Sequence, residues 1–337
     1  MKKTFVLFAI MLGLCATISA QVKKVPAPER QGYAYSLYGN VESVTVAVYE
    51  LVDCFGEMVK VTKGCTYIYK FNQGDDVFEC AYYDADGSLG GKYTYEYDSL
   101  GNKVEYAAYN FNGLLCSKEI WKYDPAGNVV EDALYESEGL MNEKIVYEYD
   151  SAGNAVEKAI YNSDGSLQMK HTYKYDYVGN MIEESLYGST GSLVSRDVYK
   201  YDSVGNKVED AWYNSIGLLK WRKVYKYDSM RNMVEYALYY SDGFLHTKTT
   251  YKYDFAGNIV EMVCYNSDCS LDRKYVYKYD SAGNMVEDTS YNAGGLQDKK
   301  CIYKYDSVGN MTEWILYEYK FGTMIPVRQK EWEIVYR

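Results

Sequence analysis

Residues 149–174 read YDSAGNAVEKAIYNSDGSLQMKHTYK, and variants of this stretch fill most of the chain. The dipeptide Tyr-Asp recurs at 97, 123, 149, 175, 201, 227, 253, 279 and 305, nine copies at a constant spacing of 26 residues. Residues 71–96 form a more diverged copy, and residues 39–70 and 318–337 depart further. Repetition at a fixed spacing predicts one continuous array whose atypical ends cover its open faces.

Each repeat holds two turn signals. Asp-Ser-x-Gly-Asn, as at 98–102, and Asn-Ser-Asp-Gly, as at 162–165, place Asp or Asn first and Gly fourth. This is the pattern of a type I turn followed by a glycine bulge. The segments between the turns are rich in Tyr and Val and lack a helical period, which predicts strands. The chain is therefore predicted to be all-β, an antiparallel meander of two-stranded repeats.

A meander of roughly twenty strands is expected to curl, because open twisted sheets rarely exceed about ten strands without doing so. We expect a curled or superhelical sheet, in the form of a superhelix, an open barrel or a shell, that buries one face. If bulged turns keep paired positions at the same parity, odd positions share one face along the array. That face carries Tyr, Leu and Ala columns and is predicted to point inward, while Lys columns stay in water on the other face.

Cross-strand neighbours follow from the same register. It places Lys144 opposite Asp132, which predicts an ion pair, and it places Glu105 opposite Tyr95, which predicts a hydrogen bond to the Tyr hydroxyl.

The turns also carry specific expectations. Asn102 and its equivalents follow each turn glycine and are predicted to fix the bulge. Arg231 and Cys269 stand where other repeats have Gly. We expect each of them to adopt a positive φ or to distort its turn.

The N-terminal residues have the pattern of a targeting signal. Lys2 and Lys3 precede an apolar run and small residues up to Ala20, which is typical of a cleavable signal peptide over residues 1–20. The run is shorter than the ~20 residues that span a bilayer, and we expect no membrane span after cleavage. Residues 21–38 are predicted to be a leader, and residues 39–337 a single array with caps at 39–70 and 318–337. The predicted location is secreted, periplasmic or cell-surface.

Composition excludes several functions. The chain has 36 Lys and Arg against 47 Asp and Glu, a net charge of -11, which argues against a nucleic-acid partner. It has only two His, which leaves little room for His-based catalysis. The cysteines lack CxxC spacing, so no zinc site is predicted. Local disulfides between Cys54 and Cys65 or between Cys264 and Cys269 stay open. We predict neither a cofactor nor a metal.

Catalysis by the repeated carboxylates is not expected. One Glu recurs in each repeat, from Glu105 to Glu313. Glycoside hydrolysis needs one acid and one base in different environments. Equivalent residues in equivalent environments do not supply that asymmetry, so we predict that the protein is not an enzyme.

The recurring Tyr-Asp-x-x-Gly-Asn, for instance at 123–128, resembles the RHS/YD-repeat family of bacterial surface and secreted proteins. The likeness covers approximately residues 71–317. It implies a spiralling antiparallel sheet, sometimes a hollow shell, and carbohydrate binding. The 26-residue period is longer and more regular than in that family, and residues 332–337 contain nothing similar to its self-cleaving core motif.

The Tyr columns leave two interpretations open, packing within the sheet or a ladder of rings that stack on sugars. We expect a non-catalytic protein of the cell envelope that binds polysaccharide through these rings. The alternative is a structural or adhesive scaffold whose partner is an envelope protein. The predicted ligand-binding residues are Tyr109, Tyr123, Tyr135, Tyr149, Tyr161, Tyr175, Tyr187, Tyr201, Tyr213 and Tyr227.

Overall fold

The structure is a computed structural model that describes residues 37–54, 57–320 and 322–337, without the side chains of residues 62 and 63. The predicted signal peptide and residues 21–36 of the predicted leader lie outside the described residues. Within them, no helix is long and apolar enough to cross a membrane.

The described residues form one sheet of 22 strands, which confirms the all-β prediction. The strands are β1 (Val41–Cys54), β2 (Glu57–Phe71), β3 (Val77–Tyr83), β4 (Leu89–Tyr97), β5 (Lys103–Asn110), β6 (Leu115–Tyr123), β7 (Val129–Glu136), β8 (Met141–Tyr149), β9 (Ala155–Asn162), β10 (Leu167–Tyr175), β11 (Met181–Gly188), β12 (Leu193–Tyr201), β13 (Lys207–Asn214), β14 (Leu219–Tyr227), β15 (Met233–Tyr240), β16 (Leu245–Tyr253), β17 (Ile259–Tyr265), β18 (Leu271–Tyr279), β19 (Met285–Tyr291), β20 (Gln297–Tyr305), β21 (Met311–Lys320) and β22 (Thr323–Tyr336).

The sheet is closed, and the expectation of an open or superhelical curl is wrong. Each strand pairs antiparallel with the next along the chain, and β1 also pairs with β22 over the stretch from Val41–Tyr336 to Glu50–Arg328. Closure is favoured because it satisfies the backbone groups that two free edge strands would expose.

The turns are as predicted. In the turn at 98–102, the Asp98 N–H donates to the Asn102 carbonyl at 2.9 Å, and the Gly101 N–H donates to the Asp98 carbonyl at 3.1 Å. The side chain of Asn102 donates to the Asp98 carboxylate at 2.9 Å, which confirms its role at the bulge. Arg231 and Cys269 adopt φ values of 68° and 63°, so both keep the turn at positive φ.

The predicted register is wrong, because each hairpin contains an extra residue beyond the turn. Glu96 pairs with Glu105 but Tyr97 pairs with Lys103, which leaves Val104 unopposed. The other turn of the repeat causes the same slip. Parity therefore reverses at every hairpin, and the sequence positions that share a face alternate between odd and even.

The predicted cross-strand pairs change accordingly. Asp132 faces Ile145 rather than Lys144, and Lys144 faces Ala133. Tyr95 faces Tyr106 instead of Glu105. The predicted ion pair and the predicted Tyr–Glu hydrogen bond are both replaced by other contacts.

We call one side of the sheet the outer face; it carries the columns of Glu105, Ala107, Tyr109, Lys118 and Lys122. The inner face carries the alternate positions, in the columns of residues 106, 108, 117, 119 and 121.

The exposed lysines of the outer face identify the inner face as the concave one. The side chains of Lys122 and Lys252 are 64% and 72% exposed, whereas burial is the leading cause that raises the pKa of inner tyrosines such as Tyr147, Tyr173 and Tyr225. Because Tyr, Ala and Lys columns occur together on the outer face, the predicted division into an inward Tyr/Leu/Ala face and an outward Lys face is wrong.

The seam between β22 and β1 holds the apolar core. Its buried members are Leu37, Val41, Val44, Phe71, Val77 and Trp332. Asn310, which is fully buried, joins three parts of the chain there. Its side chain accepts from the Tyr38 N–H at 2.6 Å, and donates to the Tyr38 carbonyl and to the Tyr336 hydroxyl at 2.7 Å each.

Candidate functional site

Half of the predicted ligand-binding tyrosines have a structural contact at one rim of the sheet. In the Tyr-Asp motif, the Tyr hydroxyl donates to the backbone carbonyl 20 residues earlier, as from Tyr123 to Lys103 at 2.7 Å. The same bond occurs in nine repeats at 2.7 to 2.9 Å. Each of these tyrosines ties one repeat to the preceding one. The predicted residues in this group are Tyr123, Tyr149, Tyr175, Tyr201 and Tyr227.

The other half lie on the outer face, where Tyr109, Tyr161 and Tyr213 lie beneath cations. Lys144 Nζ lies 5.7 Å from the centre of the Tyr161 ring, and the Arg196 guanidinium lies 5.3 Å from that of Tyr213. These distances are in the range of cation–π contacts. The predicted residues on this face are Tyr109, Tyr135, Tyr161, Tyr187 and Tyr213. The ten predicted tyrosines thus occupy two separate sets of positions and do not form one ladder.

The repeated Glu residues belong to an outer ladder of ion pairs. Glu261 lies 2.7 Å from Lys252 Nζ and 2.6 Å from Lys274 Nζ. Hydrogen bonds from both lysines, Lys252 first, hold the pKa of Glu261 below its usual value. These carboxylates are engaged in holding adjacent strands together.

The inner face differs from the outer face in that its residues vary from repeat to repeat. From 105 to 313 the outer column is Glu in every repeat, whereas the inner column from 106 to 288 reads Tyr, Asp, Lys, Glu, Asp, Tyr, Met, Asp. The inner column from 119 to 301 reads Glu, Ile, His, Asp, Lys, Thr, Tyr, Cys. Because the same repeat fold tolerates all these residues, the repeat itself does not dictate them.

One row of inner residues crosses five strands as direct cross-strand neighbours. Glu184 faces Asp197, Asp197 faces Trp212, Trp212 faces Trp221, and Trp221 faces Tyr240. We call these five residues the inner row. It places two carboxylates at one end and three aromatic rings at the other.

The two Trp rings of the inner row are nearly parallel. Their centroids are 6.4 Å apart and their planes differ by 7°. The Tyr240 ring stacks on His246 at 4.3 Å. Lys223 Nζ lies 4.5 Å from the centre of the Trp221 ring. Aromatic platforms bordered by polar groups are typical of ligand sites that combine apolar contact with orienting hydrogen bonds.

The two acids of the row have different surroundings. The Glu184 carboxylate lies 2.8 Å from His171 Nδ1 and accepts from the Tyr199 hydroxyl at 3.4 Å. Burial, followed by the charges of Asp210 and Glu184, raises the pKa of Asp197 to about 6. Asp197 therefore exchanges its proton close to neutral pH, which distinguishes it from the turn aspartates.

Asp210 lies beside this pair on the same face and is only 6% exposed. Its Oδ2 is 3.6 Å from Lys223 Nζ, whereas its buried Oδ1 has no hydrogen-bond partner among the described residues. An uncompensated carboxylate oxygen in this position makes the neighbourhood of Asp197 more negative.

A second aromatic patch occupies the inner face of β2 to β5. The rings of Tyr82 and Tyr93 are 6.4 Å apart, and those of Tyr93 and Tyr106 are 5.8 Å apart. A Cβ on Gly90 would lie 2.1 Å from the Tyr82 ring, so glycine is required there for the ring to lie flat on the strand.

Metal and disulfide chemistry find no support in the described residues. They contain no group of three or more His, Cys, Asp or Glu arranged to hold a metal ion. The two disulfides left open are not formed, because Cys54, Cys65, Cys264 and Cys269 are free thiols.

Analysis of the sequence missed the inner row. Its five members are spread over residues 184–240, and they come together only through the slipped register. The available signal was the contrast between columns that repeat and columns that vary.

Comparisons with known proteins do not assign this chain to a family. No protein-family model and no curated protein matches it. A Tc holotoxin pore of Photorhabdus luminescens is similar at a TM-score of 0.42 and 12% identity, over 80% of this chain and 16% of that one. A porin-like protein from Bacteroides uniformis has a TM-score of 0.32 and 9% identity, over 88% of this chain and 98% of that one. A TcdB2–TccC3 complex has a TM-score of 0.31 and 10% identity, over 87% of this chain and 21% of that one. The chain thus spans about a sixth to a fifth of the toxin chains, and at these TM-scores the likenesses carry no functional argument.

Proposed function

We propose that this protein is a non-catalytic carbohydrate-binding protein of the bacterial cell envelope or exterior, and that it binds sugar at the inner row. The observation that carries the proposal is the parallel Trp212–Trp221 pair next to Asp197. Sugar rings present apolar faces that stack on aromatic rings and hydroxyls that hydrogen-bond to carboxylates. The envelope location rests on the signal-peptide pattern of residues 1–20.

The inner row replaces the Tyr columns as the proposed site. The rim tyrosines use their hydroxyls within the sheet, and outer tyrosines are covered by Lys and Arg side chains. Trp212 lies on the inner face, outside both of these sets, and Lys223 Nζ lies 4.5 Å from the ring centre of its neighbour Trp221. The 6.4 Å between the Trp212 and Trp221 ring centres, on adjacent strands, suits contact with consecutive units of an oligosaccharide.

A glycan array with the mature chain tests this proposal, followed by titration of the best ligand against Trp212→Ala. We expect about a tenfold loss of affinity, equivalent to about 1.4 kcal/mol. Tyr213→Ala is the matched control, because Tyr213 is adjacent in the same strand and points to the outer face. Binding that survives Trp212→Ala, or an array without any ligand, would overturn the proposal.

A protein-binding scaffold is the second candidate, and the exposed turn tips favour it. The side chains of Tyr177 and Phe255 are fully exposed, and Met230 is 63% exposed at an equivalent turn. Exposed apolar residues in a group mark interaction sites. A pull-down from envelope extract that is insensitive to added sugar but lost in Tyr177→Ser/Phe255→Ser would support this function.

A further inference from the structure

We propose that the inner row selects amino sugars that carry a free ammonium group, held between Glu184 and Asp197 while the sugar ring stacks on Trp212. This inference rests on the proposed function and specifies its ligand.

The first step is the position of the two acids. Glu184 and Asp197 are direct cross-strand neighbours, where Cβ atoms lie about 4.5–5.5 Å apart and like charges destabilise the sheet. In the equivalent positions of the other described repeats the partners are different pairs, such as Tyr106 with Glu119 or Asp210 with Lys223. Glu184 and Asp197 are thus the single acid–acid pair of direct cross-strand neighbours in these columns of the described repeats, whereas Glu119 and Asp132 meet diagonally.

The second step is the incomplete compensation of the pair's charge. The charged and titratable groups that face Asp197 are Glu184, Asp210, Lys207 and Lys223, and His171 and Tyr199 contact Glu184. Lys223 is 3.6 Å from Asp210 and lies over Trp221, and Lys207 lies over the Tyr199 ring at 5.0 Å.

Both lysines are therefore engaged beside the pair rather than between its members. On the outer face, by contrast, a Glu such as Glu261 has a Lys within 2.7 Å on each side.

The third step is the buried oxygen of Asp210. Asp210 is only 6% exposed, and its Oδ1 has no hydrogen-bond partner among the described residues. A buried carboxylate without full pairing is costly. Its charge adds to that of the Glu184–Asp197 pair, so a cation bound there gains from all three carboxylates.

The fourth step is the chemistry of the ligand. An ammonium group offers three N–H donors, which match the oxygens of two facing carboxylates. Trp212, the other direct neighbour of Asp197, lies one strand away and supplies the stacking surface. An N-acetylated sugar lacks the charge, and a uronic acid would be repelled. A deacetylated hexosamine oligomer fulfils both requirements.

Calorimetric titration of the full mature chain with a glucosamine pentamer and with its N-acetylated counterpart tests the inference. At pH 6.5 we expect the glucosamine pentamer to bind about tenfold more tightly, as a charge-assisted hydrogen bond to a half-buried acid would give. The preference should shrink as the pH falls through about 6, where Asp197 takes up a proton.

Two variants and a matched control locate the preference. Asp197→Asn and Glu184→Gln should each bring glucosamine binding down to the level of the N-acetylated pentamer, and Asp197→Asn should remove the pH dependence below 6. Asp288→Asn is the control, because Asp288 is another inner acid with a pKa raised by burial, but its direct neighbours are Tyr277 and Cys301. It should leave the preference unchanged.

The outcomes separate this inference from the proposed function. If both pentamers bind equally well and Asp197→Asn does not change their affinity, the amino-sugar inference is wrong and the carbohydrate-binding proposal stands. If Trp212→Ala loses affinity for both pentamers, the proposed function and the amino-sugar inference are both supported. If no saccharide binds to the protein, both are wrong. If polylysine competes as well as the glucosamine pentamer and Trp212→Ala has no effect, the site is a non-specific cation site and the inference is wrong.

Discussion

Tyrosine has three roles in this protein, and its position in the repeat decides which one applies. At the rim its hydroxyl bonds to a backbone carbonyl. On the outer face its ring lies beneath a Lys or Arg. On the inner face burial raises its pKa, as at Tyr173, where it reaches about 12. A side chain with a large apolar ring and one polar tip suits all three, which accounts for 42 tyrosines in 337 residues.

The rim role predicts the effect of removing a single hydroxyl. Tyr175→Phe deletes the 2.8 Å bond to the Ala155 carbonyl. We expect a loss of about 1 kcal/mol in the free energy of unfolding, the usual net value of one such bond. Urea denaturation measures it. Tyr161→Phe, which keeps the ring beneath Lys144, should cost less than half as much, and equal losses would contradict the assigned rim role.

The raised pKa of Asp197 predicts that the stability of the protein depends on pH. Its pKa in the folded state is about 6 against the ordinary 3.8, mainly because burial disfavours the charged form. The charged form of Asp197 therefore lowers the free energy of unfolding. This loss is absent below pH 3.8, grows as the pH rises from 3.8 to about 6, and is complete above that value. The shift in the Asp197 pKa corresponds to a loss of at most about 3 kcal/mol in the free energy of unfolding. Partial exposure of Asp197 to solvent reduces this loss to about 1 kcal/mol.

Denaturation at pH 4 and pH 8 checks this prediction. Asp197→Asn should be more stable than the wild type at pH 8 and equally stable at pH 4. Asp202→Asn is a control of opposite sign, because a hydrogen bond from the Asn206 side chain lowers the pKa of Asp202. It should destabilise the protein at pH 8. A pH-independent difference for Asp197→Asn would contradict the assigned cause.

At the level of the repeat, local chemistry predicts the turns and strands but does not predict their register. In the Asp-x-x-Gly-Asn pattern, the residues of the turn form hydrogen bonds with one another. The turn at 98–102 and the positive φ of Arg231 and Cys269 therefore follow from the sequence. The extra residue at Val104 is absent from that pattern, because the backbone of the strands decides where a bulge is absorbed.

This single slip explains why the faces and the site were missed. It moves all the side chains of every second strand to the other side of the sheet, so Asp132 loses its predicted partner Lys144. It also brings Trp212 next to Asp197, which are fifteen positions apart in sequence. Repetition in the sequence predicted the architecture, whereas the site depends on the residues that do not repeat.

The turns also predict a stabilising substitution. Arg231 occupies a left-handed conformation with φ of 68°, which costs a residue with a Cβ roughly 1–2 kcal/mol. Arg231→Gly should therefore raise the free energy of unfolding by about 0.5–1 kcal/mol, after the entropy that glycine loses on folding is deducted.

Gly205→Ala is the reciprocal control for this substitution. Gly205 has φ of 88° in the equivalent turn, and an added Cβ would meet no atom within 4 Å. Any loss of stability in this variant therefore reports backbone conformation alone. We expect a loss of about 1 kcal/mol in the same denaturant experiment. A destabilised Arg231→Gly would show that the guanidinium makes a contact that outweighs the strain.

At the scale of the whole molecule, the seam and the inner row lie on opposite sides of the ring. Glu184 is on β11 and Asp197 is on β12, so ten strands separate each from the seam, β1 to β10 in one direction and β13 to β22 in the other. The seam provides the apolar core, while the proposed binding residues lie in the regular repeats. Stability and binding can therefore be altered separately.

The hydrogen bonds of Asn310 predict that the stability of the seam depends strongly on this one side chain. It is fully buried and holds both backbone groups of Tyr38 together with the Tyr336 hydroxyl. Asn310→Ala removes the partner of both backbone groups of Tyr38, which should cost about 2–4 kcal/mol, whereas the Tyr336 hydroxyl keeps its bond to the Asp306 carboxylate. Hydrogen exchange should show faster exchange of β1 and β22, with β11 to β15 still protected, because opening at the seam leaves the other strand pairs intact.

Asn284→Ala is the matched control for the seam. Asn284 occupies the same column one repeat earlier, is accessible, and its side chain donates to Asp280 at 3.0 Å. Its replacement should cost no more than about 1 kcal/mol and leave exchange at β1 and β22 unchanged. If both variants behave alike, the ring is held closed by the β1–β22 hydrogen bonds alone. If Asn310→Ala also abolishes binding at the inner row, the two sides of the ring are coupled, and the closed sheet acts as one cooperative unit rather than as a series of independent repeats.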